Sequence, residues 1–556
     1  MEITLPERSR PIPGSFPTTE RALREWLEQQ GARRPAVRLD AIVAGAGELQ
    51  TLLVPPRRRL QLLTQLSAAA RPLLDELARR VAAQGLPLPA PTQRNQQYEL
   101  ALLDRLSRGF DAVVADERQR RLPSARRIAQ AAQAAMALRG EILLACARTY
   151  RPPPTGFWQG AHALYHAAEA EAARRVRPIA GGTERRSTDD EYRRLLVFAA
   201  AETEALARSQ LAPLHALLGT WAQRLRLQRG SIEVAADAIA LTVDLEQPQP
   251  PAFRRPRGDE QPGALRTLPL DGVIDALAEL QRRTPRDEAV VGRRDTLYRR
   301  SIAVLLDHFQ ARPTRATVRE ADGRTAAVAL GLRDIEQRLR PPKPEPPEPD
   351  GADREPRADI GLSGSELALQ TVGPEARLDE RERQREEAAV GTAHAAETAE
   401  TEASAVEWRI VDRSPDGFRL QRIAESPCRA VVGELLAVHE PAAAGDVWVV
   451  GVIQWLRVID HERLEFGVRR IGRDAAATTV RAEGAGEPAL VFPGSNGLCP
   501  PATVLVPAYT FSTGTVVDLQ IDGETVPIRL KELAERTATF CRFAVSQAGG
   551  ESASGG

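Results

Sequence analysis

The chain has 556 residues, enough at roughly 100–200 residues per domain for three or four folding units, which excludes a single small module. Its 75 basic and 75 acidic side chains cancel, so no global field draws it to DNA, RNA or anionic lipid, and neither nucleic acid is an expected partner. Nearly all the cations are arginine, lysine occurring only at Lys343 and Lys531, a bias that with abundant alanine fits a GC-rich genome.

Four cysteines, Cys146, Cys428, Cys499 and Cys541, are spaced too widely for a disulfide framework or a zinc site, and a reducing cytoplasm is the expected compartment. The start is polar and proline-broken, and no apolar run approaches the ~18 residues of a membrane span. A soluble cytoplasmic protein without a secretion signal is therefore expected.

From about Thr18 to Arg229 apolar residues recur at three and four, as amphipathic helices require. Leu52, Leu53, Leu60, Leu63 and Leu66 form one such stripe, and further helices are predicted over 69–84, 96–116, 124–149, 156–175 and 190–227. Prolines 87, 89, 91 and 152–154 punctuate them. Residues 1–229 thus read as a helical array with no steady repeat. His162 and His166 share a helix face, but no third metal ligand lies nearby in the sequence.

After Gly230 the pattern shifts towards a two-residue period up to Leu245, then a proline-rich loop. Helices are predicted over 270–283 and 295–309, and the run from Thr317 to Leu332 reads as a hairpin turning at Asp322-Gly323. Residues 230–340 are accordingly expected to form a small α+β subdomain. The stacked prolines from Pro341 begin a linker to about 405, polar and expected to be disordered.

From Glu407 the chain is β-rich. Strands are predicted over 407–411, 417–422, 431–439, 446–458, 463–470, 488–492, 502–506, 515–521, 525–530 and 538–545, with a turn at Asp522-Gly523. A barrel at 406–474, a second β module at 475–547 and a disordered tail at 548–556 follow from that spacing.

Catalytic signatures are missing: no phosphate loop, no dinucleotide fingerprint, and no nucleophile elbow, zinc-protease or Cys-x-x-Cys motif. Acidic neighbours such as Asp189-Asp190-Glu191 are what chance supplies among 75 carboxylates. The reading is non-enzymatic.

One motif carries a specific chemistry. In Trp408-Arg-Ile-Val-Asp412-Arg-Ser414-Pro-Asp-Gly417-Phe, a strand runs into Asp-x-Ser-x-x-Gly and a second strand leaves it. This turn, with the strands of Val432-Gly-Glu-Leu-Leu, Val447-Trp-Val-Val-Gly-Val-Ile and Arg463-Leu-Glu-Phe-Gly-Val, resembles the PilZ domain family of cyclic di-GMP receptors. The ligand presents phosphates and guanine edges, which guanidinium forks and short polar groups on a turn recognise. The resemblance implies that an Arg-x-x-x-Arg before the barrel, here Arg381 and Arg385, supplies the forks. It likewise implies that Asp412 and Ser414 hydrogen-bond the ligand and that Gly417 permits the backbone bend. No cofactor is implied. The family usually has a strand between the arginines and the turn, whereas 386–405 is Ala/Glu/Thr low complexity, and Arg409, Arg413, Arg419 or Arg422 are alternative cations.

The overall expectation is a multidomain bacterial signalling protein: an N-terminal mostly α-helical array with a small α+β part, and a C-terminal all-β PilZ-like barrel with a further β module. It is expected to sense cyclic di-GMP, to clamp the linker arginines on binding so that the helical part is repositioned, and to act on a protein partner. The alternative is a protein–protein adaptor whose PilZ fold no longer binds nucleotide.

Overall fold

The computed structural model describes residues 3–177, 186–230, 239–253, 263–283, 302–303, 305–306, 308–309, 318–340, 408–423, 428, 430–442, 445–459, 463–473, 475–482, 486–493, 502–521 and 524–548. The linker 341–405, the Asp522-Gly523 turn, all but the first residue of the tail and most of the helix expected at 295–309 lie outside them.

The N-terminal half is helical: α1 (Glu20–Gly31), α2 (Pro35–Thr51), α3 (Pro56–Ala82), α4 (Ala90–Arg118), α5 (Ala125–Ala147), α6 (Phe157–Ala170), α7 (Thr188–Ala199) and α8 (Arg208–Trp221). Thr19 and Ser124 cap α1 and α5 by accepting backbone N–H bonds, which satisfies donors a helix start leaves free. The centre is the α4–α5 pair, where Leu102, Leu106, Phe110 and Val113 meet Ile128, Ala132 and Met136 in one core. Two expected boundaries differ. Pro72 lies inside a continuous α3, and the stretch 190–227 breaks between α7 and α8, where Glu202 adopts a left-handed φ of 41°. His162 is buried, with Tyr192 Oη 2.8 Å from Nδ1 and the Gln249 carbonyl 2.9 Å from Nε2. Both ring nitrogens are thereby engaged in packing.

Residues 228–309 do not make a separate subdomain with 318–340. Strands β1 (Gln228–Arg229), β2 (Ala240–Asp244), β3 (Ala252–Phe253) and β4 (Leu265–Pro269) form a small sheet in the order β1-β4-β2-β3. With α9 (Asp271–Arg283) and the buried Ile302, Leu305 and Phe309, this sheet shares the core of the helices.

Residues 320–330 go to the other core. β5 (Glu320–Ala321) and β6 (Thr325–Ala326) both pair with β8 (Trp408–Ser414), and β7 (Val328–Leu330) pairs with β10 (Leu435–Ala442). The expected hairpin at Asp322-Gly323 is thus a kink in one long strand. Gly323, at φ 84°, donates its N–H to the Ile410 carbonyl at 2.7 Å, and Ile410 donates back to Arg324 at 2.8 Å. The residue pair accepts positive φ, and a bulge uses that freedom as well as a turn does.

The sheet runs β5-β8-β9-β12-β11-β10-β7, with β9 (Gly417–Ile423), β11 (Gly445–Val458) and β12 (Arg463–Gly472). Both end strands come from the single stretch 320–330, which pairs with β8 through β5 and β6 and with β10 through β7 and so joins the two ends of the sheet. A helix, α10 (Gly331–Leu339), follows, and the chain next enters the described structure at Trp408 on the same barrel. The linker therefore departs from and returns to the barrel, which corrects its expected role as a tether between the helices and the barrel.

The helical half is docked directly. Val81, Leu86, Leu88 and Tyr150 enter the barrel core beside Trp408, Phe418 and Cys428. Leu86 and Cys428 exchange backbone hydrogen bonds of 2.9 and 2.6 Å, and Tyr150 accepts from Val458 N–H at 3.0 Å. Arg457 reaches Glu204 at 2.7 Å.

The second β module is a closed barrel of β13 (Ala476–Arg481), β14 (Glu487–Phe492), β15 (Thr503–Pro507), β16 (Val516–Ile521), β17 (Glu524–Arg536) and β18 (Phe540–Gln547), in the order β13-β14-β15-β18-β17-β16. β13 is absent from the sequence reading because Ala-Ala-Thr-Thr carries little apolar contrast. Leu490, Phe492, Leu505 and Phe540 of this barrel share a core with Leu435, Ala437, Val450 and Val452 on the outer face of the first.

Candidate functional site

The Asp-x-Ser-x-x-Gly segment is the β8–β9 hairpin, Ser414 pairing with Gly417 across Pro415-Asp416. A register shift between Ile410 and Asp412 marks a bulge in β8, the device by which a strand re-aims a side chain. It falls immediately before Asp412, whose carboxylate meets Arg319 Nη1 at 2.8 Å and Arg419 Nε at 2.9 Å.

Gly417 is needed for space, not for a bend. Its φ lies outside the left-handed region, whereas a Cβ there would sit 1.9 Å from the Val468 carbonyl oxygen of β12. Gly467, on β12 itself, is required for the same reason: a Cβ on it would lie 1.9 Å from Trp455 Nε1, so the indole rests where a side chain would otherwise stand.

These groups surround a cleft of about 240 Å³ whose walls include Arg319, Ser414, Gly417, Trp455, Gly467 and Arg469. That is below the ~300 Å³ at which pockets begin to enclose a drug-sized ligand. Arg469 pairs with Glu535 of the second barrel at 2.6 Å. The arginines of the Arg319–Asp412 and Arg469–Glu535 pairs are 44% and 42% exposed, so each pair contributes on the order of 0.2–1 kcal/mol and is easily exchanged for a stronger anion. A charge-assisted bond to phosphate is worth about 1.5–3 kcal/mol.

Among the expected site residues the structure brings Ser414 and Gly417 onto the cleft and Asp412 behind it; Arg381 and Arg385 lie outside the described residues. Of the alternative cations, Arg419 braces Asp412, while Arg422 is buried with its guanidinium 5.7 Å from the Trp408 ring. Trp408 belongs to the core, Trp448 packs against Arg338 and His439 on β10, and of the three only Trp455 lines the cleft. Sequence reasoning misses Arg319 and Arg469. Arg319 stands far upstream of the motif and Arg469 has no signal beyond lying two residues after Gly467.

A larger cleft, about 500 Å³, lies among α4, α5 and α6. Its buried charges, Arg139 and Asp111, are paired with each other through two hydrogen bonds, one of 3.0 Å, so the guanidinium is already committed to a carboxylate.

Comparison with known proteins follows the same division of the chain. Residues 365–476 match the family model described as the middle PilZ domain of the cyclic-di-GMP receptor FimW. The chain carries a PilZ domain. Residues 21–232 match the N-terminal domain of the same receptor and 475–548 its C-terminal beta-barrel domain. Over 555 aligned residues the chain is 23% identical to the cyclic-di-GMP receptor FimW of Pseudomonas aeruginosa, covering 94% of this chain and 90% of that one. No solved structure matches. The helical region, the PilZ domain and the C-terminal barrel thus follow one another here as the N-terminal, middle and C-terminal domains of that receptor do. Among the described residues no helix is long and apolar enough to cross a membrane.

Proposed function

We propose that this protein is a non-enzymatic cyclic di-GMP receptor of the bacterial cytoplasm, with the cleft beside the β8–β9 hairpin as the ligand's seat. The observation that carries this reading is the meeting of Ser414 and Gly417 with two exchangeable arginines, Arg319 and Arg469, around one cleft of a PilZ barrel. Phosphate oxygens find guanidinium forks there, and the Ser414 hydroxyl supplies a short polar partner. Trp455 offers an aromatic face to a guanine. Because the cleft is smaller than the ligand, Arg381 and Arg385 cover the remainder, and the helical domain is the surface offered to a protein partner.

Equilibrium binding of labelled cyclic di-GMP to the full chain tests the proposal. A fragment beginning after the linker would lack β5–β7 and leave the barrel open. Wild type is expected to bind with 1:1 or 1:2 stoichiometry, and Ser414→Ala and the Arg381→Ala/Arg385→Ala pair to bind at least about tenfold more weakly, the loss of one or more charge-assisted contacts. No uptake by a folded wild-type protein would refute the receptor reading and favour the adaptor.

A further inference from the structure

The C-terminal barrel holds one arginine of the cleft wall. Arg469 is the cross-strand partner of Gly417, so it leaves β12 immediately beside the motif hairpin and lines the cleft. Its guanidinium nevertheless crosses to the other barrel, where Nη2 donates to Glu535 Oε1 at 2.6 Å. Glu535 lies in an irregular stretch of β17, where register shifts fall between Leu530 and Glu532 and between Leu533 and Glu535. Bulges of this kind turn a side chain out of its strand's regular alternation.

We propose that Arg469 is a phosphate-binding residue of the cyclic dinucleotide site and that Glu535 is the anion it surrenders when the ligand arrives. The proposal rests on the receptor reading above and adds a competitor to it. A carboxylate and a phosphate oxygen are rival acceptors for one guanidinium, and the fork cannot serve both with bidentate geometry. The exchange does not orphan Glu535, because its cross-strand neighbour is Arg542, which feels its charge already. Ligand binding thereby removes an ionic link between the PilZ barrel and the C-terminal barrel while leaving the apolar core between them intact. The C-terminal barrel senses occupancy directly, and by reciprocity its hold on Arg469 sets the receptor's affinity.

The test is a comparison of cyclic di-GMP affinity in full-length variants at fixed salt. Glu535→Gln removes the competitor and is expected to tighten binding about two- to fivefold, the equivalent of a half-exposed ion pair. Arg469→Ala is expected to weaken binding about tenfold or more, and in that background Glu535→Gln should change nothing. Glu532→Gln, an exposed position on the same strand, makes the same charge change away from Arg469 and should leave affinity at the wild-type value. If wild type binds and Glu535→Gln matches it, the competition is refuted while the receptor reading stands. Tightening that persists without Arg469, or that Glu532→Gln reproduces, is a general charge effect and also refutes it. If wild type takes up no ligand, both fall together.

Discussion

Gly417→Ala puts one methyl group where two strands touch. The new Cβ would begin 1.9 Å from the Val468 carbonyl oxygen, 3.0 Å from its carbon and 3.3 Å from the Arg469 Cα. All three are backbone atoms, so no rotamer change relieves the overlap. Reaching an ordinary contact requires β9 and β12 to separate by about 1.5 Å, on a normal spacing of about 4.7–4.9 Å. The hydrogen bond from Arg470 N–H to the Asp416 carbonyl, now 2.8 Å, would stretch out of range together with its ladder neighbour. Two backbone bonds at roughly 0.5–1.5 kcal/mol each, plus about 1–3 kcal/mol of overpacking, give a destabilisation of about 2–6 kcal/mol. Urea unfolding followed by tryptophan fluorescence measures it, with hydrogen exchange at β9 and β12 to localise it. Gly31→Ala, where a Cβ meets nothing within 4 Å at the end of α1, is the control and should be neutral or stabilise by up to about 1 kcal/mol. A Gly417→Ala protein within about 0.5 kcal/mol of wild type, with normal exchange protection, would refute the close approach that shapes the cleft.

Three further outcomes follow from other regions of the molecule. Tyr150→Phe deletes a buried hydroxyl that donates to the Leu206 carbonyl at 2.8 Å, which should cost about 1–2 kcal/mol and speed exchange of the Val458 amide at the helix–barrel seam; unchanged exchange there would argue against the seam. His215 is held well below 6.5 by burial first, then by Arg194, Arg148 and Arg186, and burial lowers His162 too. His215 stays neutral in the fold and His162 takes up its proton at lower pH than in the unfolded chain, so stability falls as pH drops below about 6.5, by up to ~1.4 kcal/mol per pH unit for each histidine. Melting temperatures across that range should fall more steeply for wild type than for His215→Gln, and parallel curves would contradict the assignment. Asp412→Asn frees Arg319 and Arg419 from their shared carboxylate and should shift stability by no more than about 1 kcal/mol, as urea unfolding would show; a larger loss would contradict the reading of these as weak, exchangeable pairs.

Particular elements show where sequence reading succeeds. The leucine stripes of α3 and α4 and the alternation in β9, β11 and β12 identify themselves because helix and strand periods place each side chain on a definite face. The Asp412–Gly417 hairpin is legible because its residues are close in sequence and their turn chemistry is local. Arg319 and Arg469 are not legible, since their place in the cleft depends on which strands become neighbours. The glycine at 417 is legible as a residue, while the reason for it, the oxygen of Val468 opposite, is not.

By itself the sequence determined the class of most elements, the helical first half and β-rich end, and the motif hairpin that names the family. Tertiary structure decided that residues 320–330 close a barrel whose other strands follow a long insertion, and that 228–309 join the helices. It also decided that Glu535 of one barrel holds Arg469 of the other. The physical reason is that closing a chain over a long loop costs entropy that grows only logarithmically with its length, so distant strands pair almost as readily as near ones. Local pattern therefore states what each segment wants to bury, and only the packed molecule states against what.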